Sequence, residues 1–318
     1  MQPLIQLAFR GQKERLALIR LKKSSAIKSL LAFGIDWLLI STSVVVVAKF
    51  SLAFLPLSLL IIGSRQRALS NLIHDASHRN LFPQNRLNDW ITNFFAAFPM
   101  LESVRFYRNS HMLHHRHLGS GTLDPDSASH LRYGYHDLNL HKKNAFQLYL
   151  KLILNRKSLK DSFFGNIFSL SLEEKLFVLL EWLMALALIS ILFEINLAIT
   201  YFLLWNLSRA TTYHAIRIFS EFLDHTGLRP DSILEFTRTL PHSGMWSFLF
   251  HPHEDTYHLA HHLIPKVPHY HLKKAHDILL NQPIYQNAHH CDGYFTGNHS
   301  ALNCWIGQCH KALQKEAL

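Results

Sequence analysis

Two apolar runs and a pair of histidines, between residues 30 and 78, decide the fold. They read LLAFGIDWLLISTSVVVVA at positions 30–48 and, after a polar break, LAFLPLSLLIIGSRQRALSNLIHDASH at positions 52–78. A helix rises about 1.5 Å per residue, so the first run is long enough to cross a bilayer. The second run is apolar for too few residues to span alone, but its helix can continue to His78. This hairpin predicts a membrane protein that carries His74 and His78 out of the bilayer.

The same layout recurs in the second half of the chain. Residues 176–193 form another long apolar run, and after Glu194 the chain is apolar again over residues 197–207. Hydrophobic residues make up 48% of the chain, yet the mean hydropathy is only +0.04, which is low for spanning helices alone. We expect an all-α membrane protein with about four transmembrane helices in two hairpins and a helical cap. Buried core helices of a soluble domain are the alternative interpretation of these runs.

Basic residues ahead of the first span indicate its orientation. Seven basic side chains oppose a single acid, Glu14, within residues 1–28. Because such an excess marks the cytoplasmic side, and two hairpins return the chain to its starting side, all histidine clusters should lie there. We expect an integral protein of a bacterial inner membrane with its active site on the cytoplasmic side. The predicted parts are a basic amphipathic segment (1–28), a membrane domain with its cytoplasmic cap (29–285) and a C-terminal tail of unknown role (286–318).

Eight histidines fall into three clusters whose spacing places imidazoles on one face of a helix. The clusters are His74 and His78; His111, His114 and His115; and His258, His261 and His262. With 24 histidines in the chain any one pair could arise by chance, but the repeated form His-x-x-His-His makes chance a poor account. Zinc normally takes four ligands and calcium prefers oxygen, whereas this nitrogen-rich set suits two redox-active ions with positions open for O2. Iron is the leading candidate.

The order HDASH, HMLHH and HLAHH resembles the three histidine boxes of the membrane fatty acid desaturase and hydroxylase superfamily. The stretch YRNSHMLHHRHLGSGTLDPD (107–126) is similar to the second box of bacterial desaturases and carotenoid ketolases, and YHLAHHLIPKVPHYHLKKAH (257–276) resembles the segment that closes such sites. A further family element resembles FLDHTGLRPDSILEFTRTL (222–240), where His225 would supply one more ligand. The resemblance implies a di-iron centre in the cytoplasmic cap, with two iron ions held by these histidines.

Four carboxylates are candidates for further roles at this centre. In relatives the position four before the extra histidine can be an asparagine that reaches a metal through water, and here it is Glu221. Its carboxylate could bind iron directly or accept a hydrogen bond. Asp75, Asp124 and Asp126 could orient the ligand rings, because ligating histidines usually donate their other nitrogen to such groups. Helix capping and turn formation are the alternative roles for these aspartates.

The resemblance implies an O2-dependent oxidoreductase, and a fatty acyl desaturase that introduces a C=C bond is its most populated function. A hydroxylase or a carotenoid-ketolase-like oxygenase of the same superfamily is the alternative, since the same ligand set supports all three reactions. A non-catalytic membrane metal-binding or transport protein is a more distant alternative, which would place its ligands within the spans.

Several partners follow from this interpretation. The substrate should be a lipid or an acyl chain, and O2 is the co-substrate. Removing two hydrogens supplies only two of the four electrons that O2 takes up, and the chain has no cysteine-rich cluster motif or haem domain, so a ferredoxin-like or other external donor is needed. The net charge is +10, but no recognised nucleic-acid module is present. Cys291, Cys304 and Cys309 near the C-terminus match no familiar zinc spacing.

Overall fold

The computed structural model describes residues 12–134, 145–226, 228, 230–242 and 244–302. It is mostly helical. The helices are α1 (Gln12–Leu21), α2 (Ala26–Lys49), α3 (Leu55–Ser77), α4 (Asn85–Thr92), α5 (Val104–His117), α6 (Pro125–Tyr133), α7 (Ala145–Ile153), α8 (Arg156–Phe164), α9 (Leu172–Leu192), α10 (Ile195–Ser208), α11 (His214–His225), α12 (Ile233–Phe236), α13 (Gly244–Phe250), α14 (His258–Leu263), α15 (Leu272–Leu279) and α16 (Pro283–Gln286). Two short strands, β1 (Arg238–Thr239) and β2 (His289–His290), pair in parallel. Cys304 and Cys309 lie outside the described residues.

Three helices of the described chain are long and apolar enough to cross a membrane. They are α2, α3 with the turn that precedes it (Leu52–Ser77), and α9. The fourth predicted helix, α10, has 14 residues and continues through a π-helical turn (Arg209–Tyr213) into α11. The apolar runs predicted from the sequence are therefore helical, and three of them meet the length of a span. A four-helix, two-hairpin topology remains a prediction.

The surface of α9 supports a membrane setting for these helices. Large apolar side chains along it are more than a third exposed, up to 79% for Ile191. Only Val178 of this helix is buried. A contiguous apolar surface of this extent marks contact with a membrane or a partner, and its length matches a bilayer.

Asp36 interrupts the first apolar run, and the structure explains its presence there. Its Oδ1 accepts a hydrogen bond from Arg65 Nη1 on α3 (3.1 Å), and its Oδ2 lies 2.8 Å from His253 Nε2 in the loop after α13. The Arg65 guanidinium also lies over the Phe248 ring, 3.8 Å from its centroid. A charge buried among apolar helices is tolerated only when it is paired. Asp36 therefore needs both partners, and the network fixes α2, α3 and the loop after α13 relative to one another.

Close packing between α3 and the π-helical turn sets the position of the cap histidines. Gly63 on α3 faces that turn so closely that an added Cβ would lie 2.2 Å from Thr212 Oγ1 and 2.5 Å from the Tyr213 backbone nitrogen. Nearby, Gln66 Nε2 donates to the carbonyl of Trp205 (3.0 Å). α3 and the continuous α10–α11 helix are therefore held together a few turns before their C-terminal ends, where they carry His74 and His225.

Gly63→Ala is expected to separate these helices and destabilise the protein by about 1–3 kcal/mol, the usual cost of overpacking a close contact. The measurement is the thermal unfolding midpoint in detergent, together with metal content per chain. Gly34→Ala on α2 is the matched control, because a Cβ there meets nothing within 4 Å. Equal midpoints for the two variants would show that the close approach at Gly63 does not hold the helices together.

Candidate metal centre

All nine histidines predicted as ligands converge where α5, α14 and the C-terminal ends of α3 and α11 meet, and they form two adjoining groups. One group contains His74, His78, His111, His115 and His261, whose ring nitrogens all lie within 4.8 Å of one another. The other contains His114, His225 and His262, within the same distance, and His258 joins it. The Nε2 atom of His258 lies 3.0 Å from that of His225 and 3.1 Å from that of His262. We call these the five-histidine group and the four-histidine group.

The local helix geometry explains how each His-x-x-His-His sequence serves both groups. On α5, His111 and His115 are four residues apart and face the five-histidine group, whereas His114 faces the other. On α14 the division is reversed, because His258 and His262 enter the four-histidine group and His261 enters the five-histidine group. The two histidines four residues apart enter the same group, whereas the third is rotated by about 100° from its adjacent histidine and enters the other group, so each of these two boxes bridges both groups.

The spacing of the ring nitrogens fits metal ligation. In the five-histidine group the Nε2 atoms of His78 and His111 lie 2.9 Å apart, those of His111 and His115 2.9 Å, and those of His115 and His261 3.2 Å. Imidazole nitrogens bind zinc at about 2.0–2.1 Å, and two ligands at right angles at that distance are about 3 Å apart. The buried Nε2 of His74 has no hydrogen-bond partner among the described residues. A cation in the middle of the group would satisfy it.

Burial keeps most of these rings neutral. It lowers the pKa of His111, His115 and His261 well below 6.5, and the neighbouring histidines lower it further. The same two causes lower the pKa values of His225 and His262 in the four-histidine group. A neutral imidazole has a free lone pair, which is the form that binds a metal.

Asp124 makes both kinds of contact that the sequence left open, one to a histidine ring and one to a helix N-terminus. Its Oδ1 accepts from Nδ1 of His114 (2.9 Å) and from the backbone nitrogen of Asp126, which caps α6 (2.9 Å). Its Oδ2 accepts from the Gly119 nitrogen (2.9 Å) and from Ser127 Oγ (3.0 Å). Burial alone would raise the pKa of Asp124, but these hydrogen bonds lower it well below its usual value. An ionised Asp124 therefore holds the proton of His114 on Nδ1 and leaves Nε2 free for a metal.

The other candidate carboxylates have different neighbours. Asp75 Oδ2 accepts from the backbone nitrogen (3.1 Å) and from Nδ1 (2.9 Å) of His269, which belongs to neither group. Asp126 is 53% exposed and lies 3.4 Å from His114 Nδ1. Glu221 accepts from Arg217 Nε (2.7 Å) and Nη2 (3.4 Å) on the same helix. Among the described residues the groups able to hold a metal do not include Glu221, so the structure brings its carboxylate to a guanidinium instead.

Two buried aspartates near the four-histidine group were not singled out from the sequence. Asp255 Oδ2 accepts from Arg67 Nη2 (2.8 Å), and its Oδ1 lies 3.9 Å from Nδ1 of His258. Asp224, beside His225, has its Oδ1 3.6 Å from His251 Nε2. Arg67 and His251 are distant in sequence from Asp255 and Asp224, so no fixed spacing predicts these two contacts. The proximity of the two aspartates to His225 and His258 along the chain was the only available signal.

A cavity of about 370 Å3 opens onto both groups. Its lining includes His74 and His111 from the first group and His114, His225 and His258 from the second. Glu102 lies on the same wall, where its Oε1 accepts from the Ser103 backbone nitrogen (3.0 Å) and its Oε2 from Asn166 Nδ2. Burial raises the pKa of Glu102 to about 7, although these hydrogen bonds oppose the shift. The two histidine groups therefore border a common cavity of the size of a small-molecule pocket.

Comparison with known proteins agrees with this architecture. Residues 50–294 match the model of the fatty acid desaturase family, described as "Fatty acid desaturase". The chain is also 30% identical over 246 residues to the dihydrorhizobitoxine desaturase of Bradyrhizobium elkanii, covering 72% of this chain and 69% of that one. The chain belongs to the fatty acid desaturase family and is an oxidoreductase of that superfamily. Both the sequence resemblance and the prediction of an enzyme are confirmed.

Asp124→Asn is expected to weaken metal binding about 10–100-fold, because an asparagine still caps α6 but no longer gives His114 a charged partner. The measurement is metal retained per chain during titration with a chelator. Asp126→Asn is the matched control, since its carboxylate is more than half exposed and makes the longer contact. Equal retention by both variants would show that Asp124 acts only as a helix cap.

Glu102 should make the folded protein less stable as pH rises. The folded state holds its proton up to pH about 7, whereas the unfolded state releases it near the usual value of 4.5, so stability falls as pH rises between these values. The full difference amounts to roughly 3 kcal/mol at about 1.4 kcal/mol per pKa unit. We expect the unfolding midpoint of Glu102→Gln to rise relative to that of the unaltered protein as the pH is raised from 5 to 8. A constant difference across that range would contradict the raised pKa.

Proposed function

We propose that this chain is an O2-dependent di-iron desaturase that introduces a C=C bond into its substrate. The observation that carries the proposal is the division of nine histidines into two adjoining groups around a common cavity. Two ions held by nitrogen ligands are the arrangement expected for a redox-active pair. Membership of the fatty acid desaturase family supports the same reaction.

Iron is the metal that this donor set favours. The five-histidine group offers more imidazoles than the four ligands of a structural zinc site, and neither group contains the oxygen-rich shell that calcium or magnesium requires. Imidazole suits iron, copper, nickel and zinc. Among these metals, iron is the one we propose, because non-haem iron sites use O2 to oxidise unactivated carbon. When bound, the two ions would supply the oxidising power for hydrogen removal.

The protein's own residues would hold, orient and shield this centre. Asp124 accepts from Nδ1 of His114, and the carbonyl of Phe236 accepts from Nδ1 of His225 (2.7 Å). Both contacts fix the ring tautomer so that Nε2 faces its group. The surrounding helices α3, α5, α11 and α14 bury most of the rings, which limits access to the cavity.

Location of the ligands favours an enzyme over a metal carrier. A carrier would place polar ligands near the middle of the bilayer. Here His74 and His78 lie in the last turn of α3 and just after it, and His225 ends α11. We propose that this end of the bundle faces the cytoplasm of a bacterial inner membrane, as the basic N-terminal segment indicates, and that a ferredoxin-like protein delivers electrons there.

The family makes a fatty acyl or lipid chain the first substrate to test. Hydroxylation or ketone formation on such a chain is the alternative reaction, because hydrogen removal is the first step of all three. The Bradyrhizobium relative is named for the desaturation of dihydrorhizobitoxine. Substrate profiling therefore has to include water-soluble metabolites as well as lipids.

The test is mass spectrometry of both the lipid and the water-soluble fractions from cells that express the protein with a ferredoxin system under air. Desaturation predicts a product two mass units lighter than its precursor, which disappears in His114→Ala. His117→Ala is the matched control, because His117 is on the same helix but belongs to neither histidine group. A gain of sixteen or fourteen mass units would identify hydroxylation or ketone formation instead. An unchanged profile together with freely exchangeable metal would support a carrier.

A further inference from the structure

Four basic side chains lie close together beside the five-histidine group, and we call them the basic patch. They come from four separate segments: Lys22 just after α1, Arg79 after α3, Arg108 on α5 and Lys266 after α14. Arg79 and Lys266 are exposed, and the other two are half-buried. Burial lowers the pKa of Lys266, and the charges of the other three lower it further, so all three lie near it.

The basic patch adjoins His78, one of the predicted ligands. Lys266 Nζ donates to the carbonyl of His78 (2.7 Å), and Arg79 is the next residue in the chain. The Nε2 atom of His78 lies in turn 2.9 Å from that of His111 within the five-histidine group. One hydrogen bond and the bonds of a single residue therefore connect the surface at Lys266 to this group.

Two members of the patch also have a structural role. Arg108 donates to two carbonyls in the last turn of α3 (2.8 and 3.0 Å), and Lys266 donates to the carbonyl that follows them. Cations are favourable at this end of a helix. Arg108 also pairs with Asp89, which is the acid closest to the patch in these contacts. Asp89 offsets one positive charge and leaves the patch basic.

Arg79 and Lys22 have no comparable structural role. Their side chains make no hydrogen bond or ion pair with the described part of the chain. Arg79 also has a φ of 60°, in the left-handed region that suits glycine or asparagine and costs other residues about 1–2 kcal/mol. The turn after α3 would be easier to form with a smaller residue. Arg79 therefore contributes a free charge next to a ligand rather than a stabilising contact.

The reaction needs electrons at this place. Each desaturation would combine O2 with two hydrogens of the substrate, two electrons and two protons to form two molecules of water. A charged surface attracts a partner of opposite sign and raises its rate of association, and electron-transfer encounters bury only small interfaces. Lipid headgroups would also be attracted by positive charge, but they would gain nothing from its position beside His78.

We propose that the basic patch is the docking surface for an acidic one-electron carrier protein, and that electrons enter the centre through the five-histidine group. Carboxylates of the carrier face Arg79, Lys22 and Lys266, which brings its redox group closest to His78. Two successive encounters deliver the two electrons, and the solvent supplies the two protons. This inference rests on the proposed function for its need of electrons, and it specifies the partner and where it binds.

The test uses the iron-loaded full chain in phosphatidylcholine nanodiscs, with a plant-type [2Fe–2S] ferredoxin as the probe. Its dissociation constant is measured by calorimetry, and anaerobic electron transfer to the oxidised centre is followed by stopped flow. The methyl viologen radical, a small cation that the patch does not attract, is the comparison reductant. We expect ferredoxin binding and its electron transfer to fall about tenfold or more from low to high salt, and amidation of the ferredoxin carboxylates to have the same effect.

Substitutions at Arg79 test the surface without removing a contact. Arg79→Glu should weaken ferredoxin binding and slow its electron transfer about tenfold or more, without slowing reduction by viologen. Arg79→Lys keeps the charge and should preserve both. Arg79→Asn suits the left-handed turn, so it should lose part of the ferredoxin affinity in a protein at least as stable as the unaltered one. Arg156→Glu, the same change of charge at an exposed position on the first turn of α8, is the matched control.

The docking surface and the proposed function fail in different ways. If viologen reduces the centre but ferredoxin does not distinguish Arg79→Glu from Arg156→Glu, the redox centre stands and the docking surface is rejected. If neither reductant delivers electrons, both are rejected. Unchanged ferredoxin binding, with fewer phosphatidylglycerol molecules retained by Arg79→Glu in native mass spectrometry, would assign the patch to lipid headgroups and overturn the proposal.

Discussion

Nine imidazole rings converge in the cap, with neighbouring nitrogens about 3 Å apart, and the rest of the structure depends on this arrangement. Burial and mutual proximity keep most of the rings neutral, so their nitrogen lone pairs are free and lie close to one another. Nitrogen lone pairs in such an array stabilise a bound cation. Without a cation they repel one another and remain buried without hydrogen-bond partners, which is unfavourable. Metal binding and folding of the cap are therefore expected to be coupled, as in other sites whose ligands come from separate segments.

The membrane helices supply the rigidity that this arrangement requires. α3 and the α10–α11 helix carry ligands at their ends, and Gly63 lets them approach within backbone contact a few turns earlier. The Asp36–Arg65–His253 network adds a polar connection between the spans and the loop before α14. Small displacements at these contacts would be transmitted along stiff helices to the histidines, because a helix moves largely as a unit.

The long helices and the histidine clusters were predictable because both depend on short-range order in the sequence. Apolar length identified the long helices, and three- and four-residue spacing identified the boxes. The division of each box between two groups was not predictable, because it depends on how α5 and α14 are rotated against each other. His225 was predicted only from the family resemblance, because a single histidine has no second histidine at a helical spacing to mark it. The partners of Asp75 and Glu221, His269 and Arg217, could not be read from the ligand pattern, because carboxylates close to histidines in sequence can turn to other neighbours.

The polar cavity was also beyond sequence analysis, for a related reason. Its wall combines residues from α3, α5, α6, α8, the π-helical turn after α10, α11, α14 and the connecting segments. Apolar spans suggest an apolar substrate only if the path to the metal runs through the membrane side of the bundle. Here the cavity lined in part by α2 touches none of the nine histidines, whereas the cavity that does reach them is lined mostly by histidine, hydroxyl and charged side chains, among them the Arg67–Asp255 and Arg217–Glu221 pairs. The side chains around the histidine groups are therefore the ones that a bound molecule would contact, while the long helices position the histidines.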